Sequence, residues 1–214
     1  MSRIIDIGLE EQAVLLVKMG ELTYETLALS IQGYLKGKSV QQQVREMSDI
    51  LIAMADKVED KTFELIARFQ PVASDLRTIK SYMKIGYGFA RYGRYALDIS
   101  YINDQLNGLT ECEAWAKDYI EEMSEKVLFM VKISIDSLRK HDIALAKTIS
   151  QTEREVDKMY FDYLDKLISA EQANSKCVIS SALVTRYLER IADHATYVCE
   201  SIVYIVTGEK ITLR

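Results

Sequence analysis

A chain of 214 residues has room for one or two domains and for a core that needs no staples. A single proline and nine glycines exclude a strand-rich fold built on frequent tight turns and predict few, long helices. With 27 basic against 32 acidic residues and a net charge of −5, no cationic surplus exists for a phosphate backbone, which excludes general nucleic-acid binding.

Cys112, Cys177 and Cys199 are odd in number and lack C-x-x-C spacing, so the expectation is packing cysteines in a reducing cytoplasm, without disulfides. Asp6, Glu10 and Glu11 interrupt the apolar residues near the start, which argues against a signal peptide. Apolar runs such as Ala13–Val17 and Ile202–Val206 are far shorter than the roughly 20 residues that cross a bilayer. The expectation is a soluble protein without direct membrane insertion.

Leu9, Ala13, Leu16, Tyr24, Leu27, Ile31 and Tyr34 keep helical spacing and predict one buried face, closed at Gly37. Ser39 and Gln42 offer a capping box for a second helix from about Val40 to Phe69. Pro71 breaks that helix and suits the start of a third, which runs to Asn107-Gly108. Thr110 and Glu113 offer a second capping box, for a helix reaching Lys140. Asp142 can cap a fifth helix ending near Ala170, and Asn174 or Ser175 a sixth that Gly208 closes.

The prediction is an all-α protein of six long helices in two sets of three, residues 1–108 and 109–214. A shift of 99 residues lays Phe89–Ala96 over Leu188–Ala195 as a faint internal repeat. No linker divides the halves, so they are expected to pack together.

Enzyme signatures are absent: there is no phosphate-binding glycine loop, G-x-S-x-G elbow or H-E-x-x-H. Two histidines, His141 and His194, cannot build a multi-histidine centre. Di-iron carboxylate bundles need E-x-x-H on two helices, and residue 191, three before His194, is isoleucine, which rules that class out.

What remains is carboxylates one helical turn apart. Glu153 with Asp157, and Glu189 with Asp193, would gather four oxygen donors for a hard or borderline cation if their helices met. The alternative is a solvated face with Arg154, Lys158, Arg186 and Arg190 as counter-charges. By helical position, any site would line a groove or the surface rather than lie buried. His194 is open to three readings: ligand, phosphoacceptor or plain helix residue. His141 reads as part of a turn.

Two segments resemble the PhoU family. Gln70-Pro71-Val72-Ala73-Ser74-Asp75-Leu76-Arg77 is similar to the segment opening that family's third helix. Leu188-Glu189-Arg190-Ile191-Ala192-Asp193-His194-Ala195 and the later Val206-Thr207-Gly208-Glu209 are similar to its last helix and close.

The resemblance implies two tandem three-helix bundles with pseudo-twofold similarity and a non-enzymatic negative regulator of phosphate uptake and phosphate-starvation signalling. It implies contact with the ATPase subunit of the phosphate ABC transporter and with a phosphate-sensing histidine kinase. That places the chain in the cytoplasm at the inner face of the membrane, and a homodimer is expected. The alternative is a metal-storage or metal-sensing protein without a transporter partner.

The resemblance also implies iron or zinc on E(D)-x-x-x-D motifs. The matching positions are Glu189 and Asp193, with Glu153 and Asp157 as complement. In the first repeat Ala90-Arg91-Tyr92-Gly93-Arg94 stands where that motif would fall, so no metal is expected there. The helix-two aspartate falls near Ile52, with Asp49 one turn earlier as a partial substitute. Arg91 and Arg94 are candidates for an acidic partner surface or an anion.

Overall fold

The computed structural model describes residues 3–170 and 174–214, and among these there are helices and no strands. Three long helices come first: α1 (Ile4–Lys36), α2 (Gln41–Phe69) and α3 (Ala73–Leu106). They are followed by α4 (Ala114–Lys140), the single-turn α5 (Ile143–Lys147), α6 (Ile149–Ser169) and α7 (Ser175–Thr207). Two three-helix bundles result, the second with α5 and α6 sharing its middle position.

Several ends follow local chemistry. Gly37 is left-handed (φ 62°), and its N–H closes on Tyr34 O while Lys38 N–H reaches Gly33 O. Asp142 accepts the Leu145 N–H at 3.0 Å, and Asn174 Oδ1 accepts from Lys176 and Cys177. Gly208 closes α7 with φ 80°.

Four expectations need correction. Neither capping box forms: the Ser39 hydroxyl donates to Asp104 at 2.7 Å, and the Glu113 carboxylate accepts from Trp115 Nε1 at 2.8 Å. The third helix begins at Ala73, not at Pro71, because the Asp75 carboxylate fixes the start by accepting the Val72 N–H. The fifth helix is broken at Thr148, whose N–H and hydroxyl both turn back to Leu145 O, tightening the last turn of α5. Cys112 and Cys177 form a disulfide, with Cα atoms 5.3 Å apart, between the turn before α4 and the first turn of α7. Their separation of 65 residues carried no local signature.

The bundles share one continuous apolar core, from Leu16, Phe89 and Tyr92 to Met130, Leu188 and Ile202. Helix α3 packs on α1, α2 and α7, while α7 packs on α3, α4 and α6, and α1 meets α4. Gly20 permits that last approach: a Cβ there would stand 2.9 Å from Ile135 Cγ1. Buried polar groups cross the same seam, as where the Tyr34 hydroxyl and Ser180 Oγ lie 2.9 Å apart.

Candidate functional site

Helices α6 and α7 run side by side and bring carboxylates of both together. Glu153, Asp157 and Asp193 each offer an oxygen, and these oxygens lie within 4.8 Å of one another. Glu153 is 2% exposed, and its Oε1 has no hydrogen-bond partner among the described residues. A buried, unpartnered carboxylate oxygen is costly unless something positive meets it.

Glu189 stands one turn before Asp193 but outside that set of three, with Oε2 held by Arg186 at 2.7 Å. The four-carboxylate expectation is therefore met by three, with the fourth at the margin. Glu153 and Glu189 (8% exposed) are both buried, whereas the helical wheel placed the site on a groove or the surface. Each helix covers the other's flank, which a wheel drawn for one helix does not represent.

Burial pushes the Glu153 carboxyl up, with Asp157 adding like charge. Glu189 and Asp193 are raised by burial as well, and Arg214 pulls Asp193 back down through an ion pair of 2.9 Å. Three acidic oxygens at this spacing, without nitrogen or sulfur donors, suit an oxygen-seeking divalent cation.

His194 is not a member of this cluster. It sits half-buried among Tyr92, Tyr95 and Tyr197, and its Nε2 shares a 3.3 Å hydrogen bond with the Tyr95 hydroxyl. Burial, then Arg91 and Arg190, lower its pKa to about 4, so the ring is neutral near pH 7. Its place is a packing one. His141 closes α4 in a left-handed turn (φ 50°), as the sequence suggested, and meets the Tyr82 hydroxyl at 3.2 Å.

In the first bundle, Arg91 and Arg94 line a groove of about 400 Å³ between α2 and α3, together with Asp56 and Glu59. Arg91 also donates to the Tyr95 hydroxyl at 3.1 Å, while Arg94 is exposed. Asp49 is exposed and does not line this groove. Asp56, one turn beyond Ile52, and Glu59 are the acidic residues that line the groove.

A family model described as "PhoU domain" matches residues 16–102 and 120–202, one match in each bundle. The chain belongs to the PhoU family. It is 30% identical to the phosphate-specific transport system accessory protein PhoU homolog of Clostridium acetobutylicum, over 99% of this chain and 98% of that protein. The homolog of the same description from Pseudomonas putida is 29% identical over 97% of this chain and 82% of its own length.

The crystal structure of PhoU from Pseudomonas aeruginosa superposes with a TM-score of 0.89 at 28% identity, covering 95% of this chain and 99% of that one. PhoU from Streptococcus pneumoniae shares the fold, at a TM-score of 0.77 and 22% identity over 97% and 99% of the two chains. As a PhoU-family protein the chain is a non-catalytic negative regulator of phosphate uptake, associated with the phosphate transport system. Among the described residues, no helix is long and apolar enough to cross a membrane.

Proposed function

We propose that this chain is an adaptor that bears on the ATPase subunit of a phosphate ABC transporter and, where one is present, on a phosphate-sensing histidine kinase. It would do so from the cytoplasm, peripheral to the inner face of the membrane. The observation that carries this reading is the near end-to-end match to a transport-system accessory protein. An adaptor regulates only through unequal affinity for two states of its partner, since equal affinity shifts neither. The groove lined by Arg91 and Arg94 is the partner face in this proposal.

We place the boundary between the repeats at Gly108–Leu109 and expect a homodimer. Ile179 and Leu183, one turn apart on α7 and both exposed, supply an apolar strip for it.

Glu153, Asp157 and Asp193 would hold a cation of the iron or manganese kind, while zinc is less favoured by an all-oxygen donor set. Bound there, the cation would supply positive charge that ties α6 to α7. The orphaned Glu153 Oε1 supports this fit. Metal storage or sensing without a transporter remains the rival, and the same test separates the two.

The test is affinity purification from native membranes at high and low phosphate, with bound proteins identified by mass spectrometry. Recovery of the transporter ATPase, changing with phosphate, is the expected result. Purification that yields neither transporter nor kinase under either condition rejects the adaptor reading and leaves the carboxylates as the leading clue.

A further inference from the structure

Arg214 already sits against the oxygens that a cation would need. After Gly208 reverses the chain, residues 209–214 run back alongside α7. Asp193 lies 15 residues before Gly208. That is about 22 Å of helix, and six extended residues cover about 20 Å, so the guanidinium just reaches it.

The segment is fastened on the way. Leu213 is 7% exposed, and its N–H donates to Glu200 Oε1 at 3.0 Å. The Arg214 guanidinium then pairs with Asp193 Oδ1 at 2.9 Å, lies 4.7 Å from the centroid of the Tyr197 ring and donates to the Tyr197 hydroxyl. This segment lies outside both stretches that match the family model.

We propose that residues 209–214 form a strap whose Arg214 is the resident counter-cation of the Glu153–Asp157–Asp193 cluster, so that a divalent cation and Arg214 compete for it. The proposal rests on reading that cluster as a cation site. Asp193 cannot give the same oxygens at full strength to both, and two positive groups within this space repel. Cation entry therefore expels Arg214 and loosens the strap. Lys210 and Ile211 of the strap line a groove of about 300 Å³ with Lys80 and Lys84 of α3. Loosening the strap reshapes that groove, which carries the state of the second bundle to a surface of the first.

The test uses the full chain, with Mn²⁺ as probe and two readouts. Binding is followed from the loss of the free Mn²⁺ paramagnetic resonance signal. Strap release is followed as tryptic cleavage after Lys210, seen as loss of residues 211–214 by intact mass. In metal-free protein, Asp193→Asn should speed that cleavage, because it removes the charge that holds Arg214. Saturating Mn²⁺ should speed it in the wild type. Arg214→Gln should bind Mn²⁺ about fivefold more tightly, the scale of one partly exposed ion pair, and Arg214→Lys should return affinity toward wild type.

Unchanged cleavage in Asp193→Asn overturns the strap. Equal Mn²⁺ affinity in wild type and Arg214→Gln, or Mn²⁺ binding without faster cleavage, overturns the competition. Mn²⁺ binding to neither protein overturns the cation-site reading and the competition with it. The metal-free cleavage then separates that failure from failure of the strap itself.

Discussion

Tyr95 and His194 stand 99 residues apart, the offset of the internal repeat, and they touch: their hydroxyl and Nε2 share a 3.3 Å hydrogen bond. Two positions exchanged by a twofold relation meet only at its axis, so this pair marks where the two bundles turn about each other. The repeat that was faint as sequence thus has a physical centre at the α3–α7 crossing. The equivalence does not extend to chemistry, since a tyrosine faces a histidine and Arg94 stands opposite Asp193 in the alignment. At that position one half carries a guanidinium and the other a carboxylate, and Ala90 stands opposite Glu189.

The buried, neutral His194 makes stability depend on pH. Its folded pKa of about 4 lies below the ordinary value of 6.5, so between those limits the unfolded chain binds a proton that the folded chain refuses. Its contribution is complete above pH 6.5 and is lost as pH falls toward 4. We expect a loss on the order of 1 kcal/mol across that window, after allowing for partial exposure. His141, also lowered by burial, adds in the same direction. Thermal melts of wild type and His194→Gln at several pH values should show a shallower acid slope in the variant. Identical slopes would reject the assignment.

The carboxylates act with the opposite sign. Glu153, Glu189 and Asp193 have raised folded pKa values, so the metal-free fold gains relative stability as pH falls through them and each takes up a proton. Glu153→Gln keeps the shape and removes a buried charge, so the metal-free protein should gain about 1 kcal/mol in urea melts. The same variant should lose Mn²⁺-dependent stabilisation, because an amide is a poor cation ligand. A variant no more stable than wild type, yet still stabilised by Mn²⁺, would contradict both halves of this expectation.

What the sequence could and could not disclose follows from range. Helix ends at Gly37, Asp142, Asn174 and Gly208 were legible, because a cap is decided by residues within one turn. The Ser39 box failed because Asp104, 65 residues away, took its hydroxyl, and the Glu113 box because a neighbour two residues on, Trp115, offered the carboxylate a competing indole N–H. The i,i+4 carboxylates were legible as pairs. That Glu153 is buried, and that Glu189 is drawn aside by Arg186, depends on how α6 and α7 cover one another. Arg214 carried no signal: it joins the site only because the chain reverses at Gly208.

The Cys112–Cys177 bond belongs to the same long-range class and gives a test of its own. It closes a loop between residues 65 apart, and restricting the unfolded chain to that extent stabilises by up to about 4 kcal/mol. Dithiothreitol, or Cys112→Ser with Cys177→Ser, should lower the melting temperature of oxidised protein, while the buried Cys199 stays unreactive toward thiol reagents in the folded state. A protein purified under non-reducing conditions with three free thiols after unfolding would show that the bond is not kept.

The groove of the first bundle is where partner binding is to be decided. Arg94 is exposed, so Arg94→Glu changes its charge without emptying the core. Arg91 is less free, since its guanidinium stacks 5.1 Å from the Tyr95 ring centroid and donates to that hydroxyl. Arg91→Glu would therefore disturb the axis as well as the surface. An exposed charge that steers an acidic partner acts mainly on the association rate and is screened by salt. Arg94→Glu should accordingly slow capture of the transporter ATPase several-fold at low ionic strength, with the difference shrinking as salt rises. Unchanged capture by Arg94→Glu at low salt, with the fold intact by circular dichroism, would remove the groove from the partner face. Because Asp56 and Glu59 line the same groove, their neutralisation should have the reverse effect on capture. That pair of opposite signs separates charge recognition from a general loss of surface integrity.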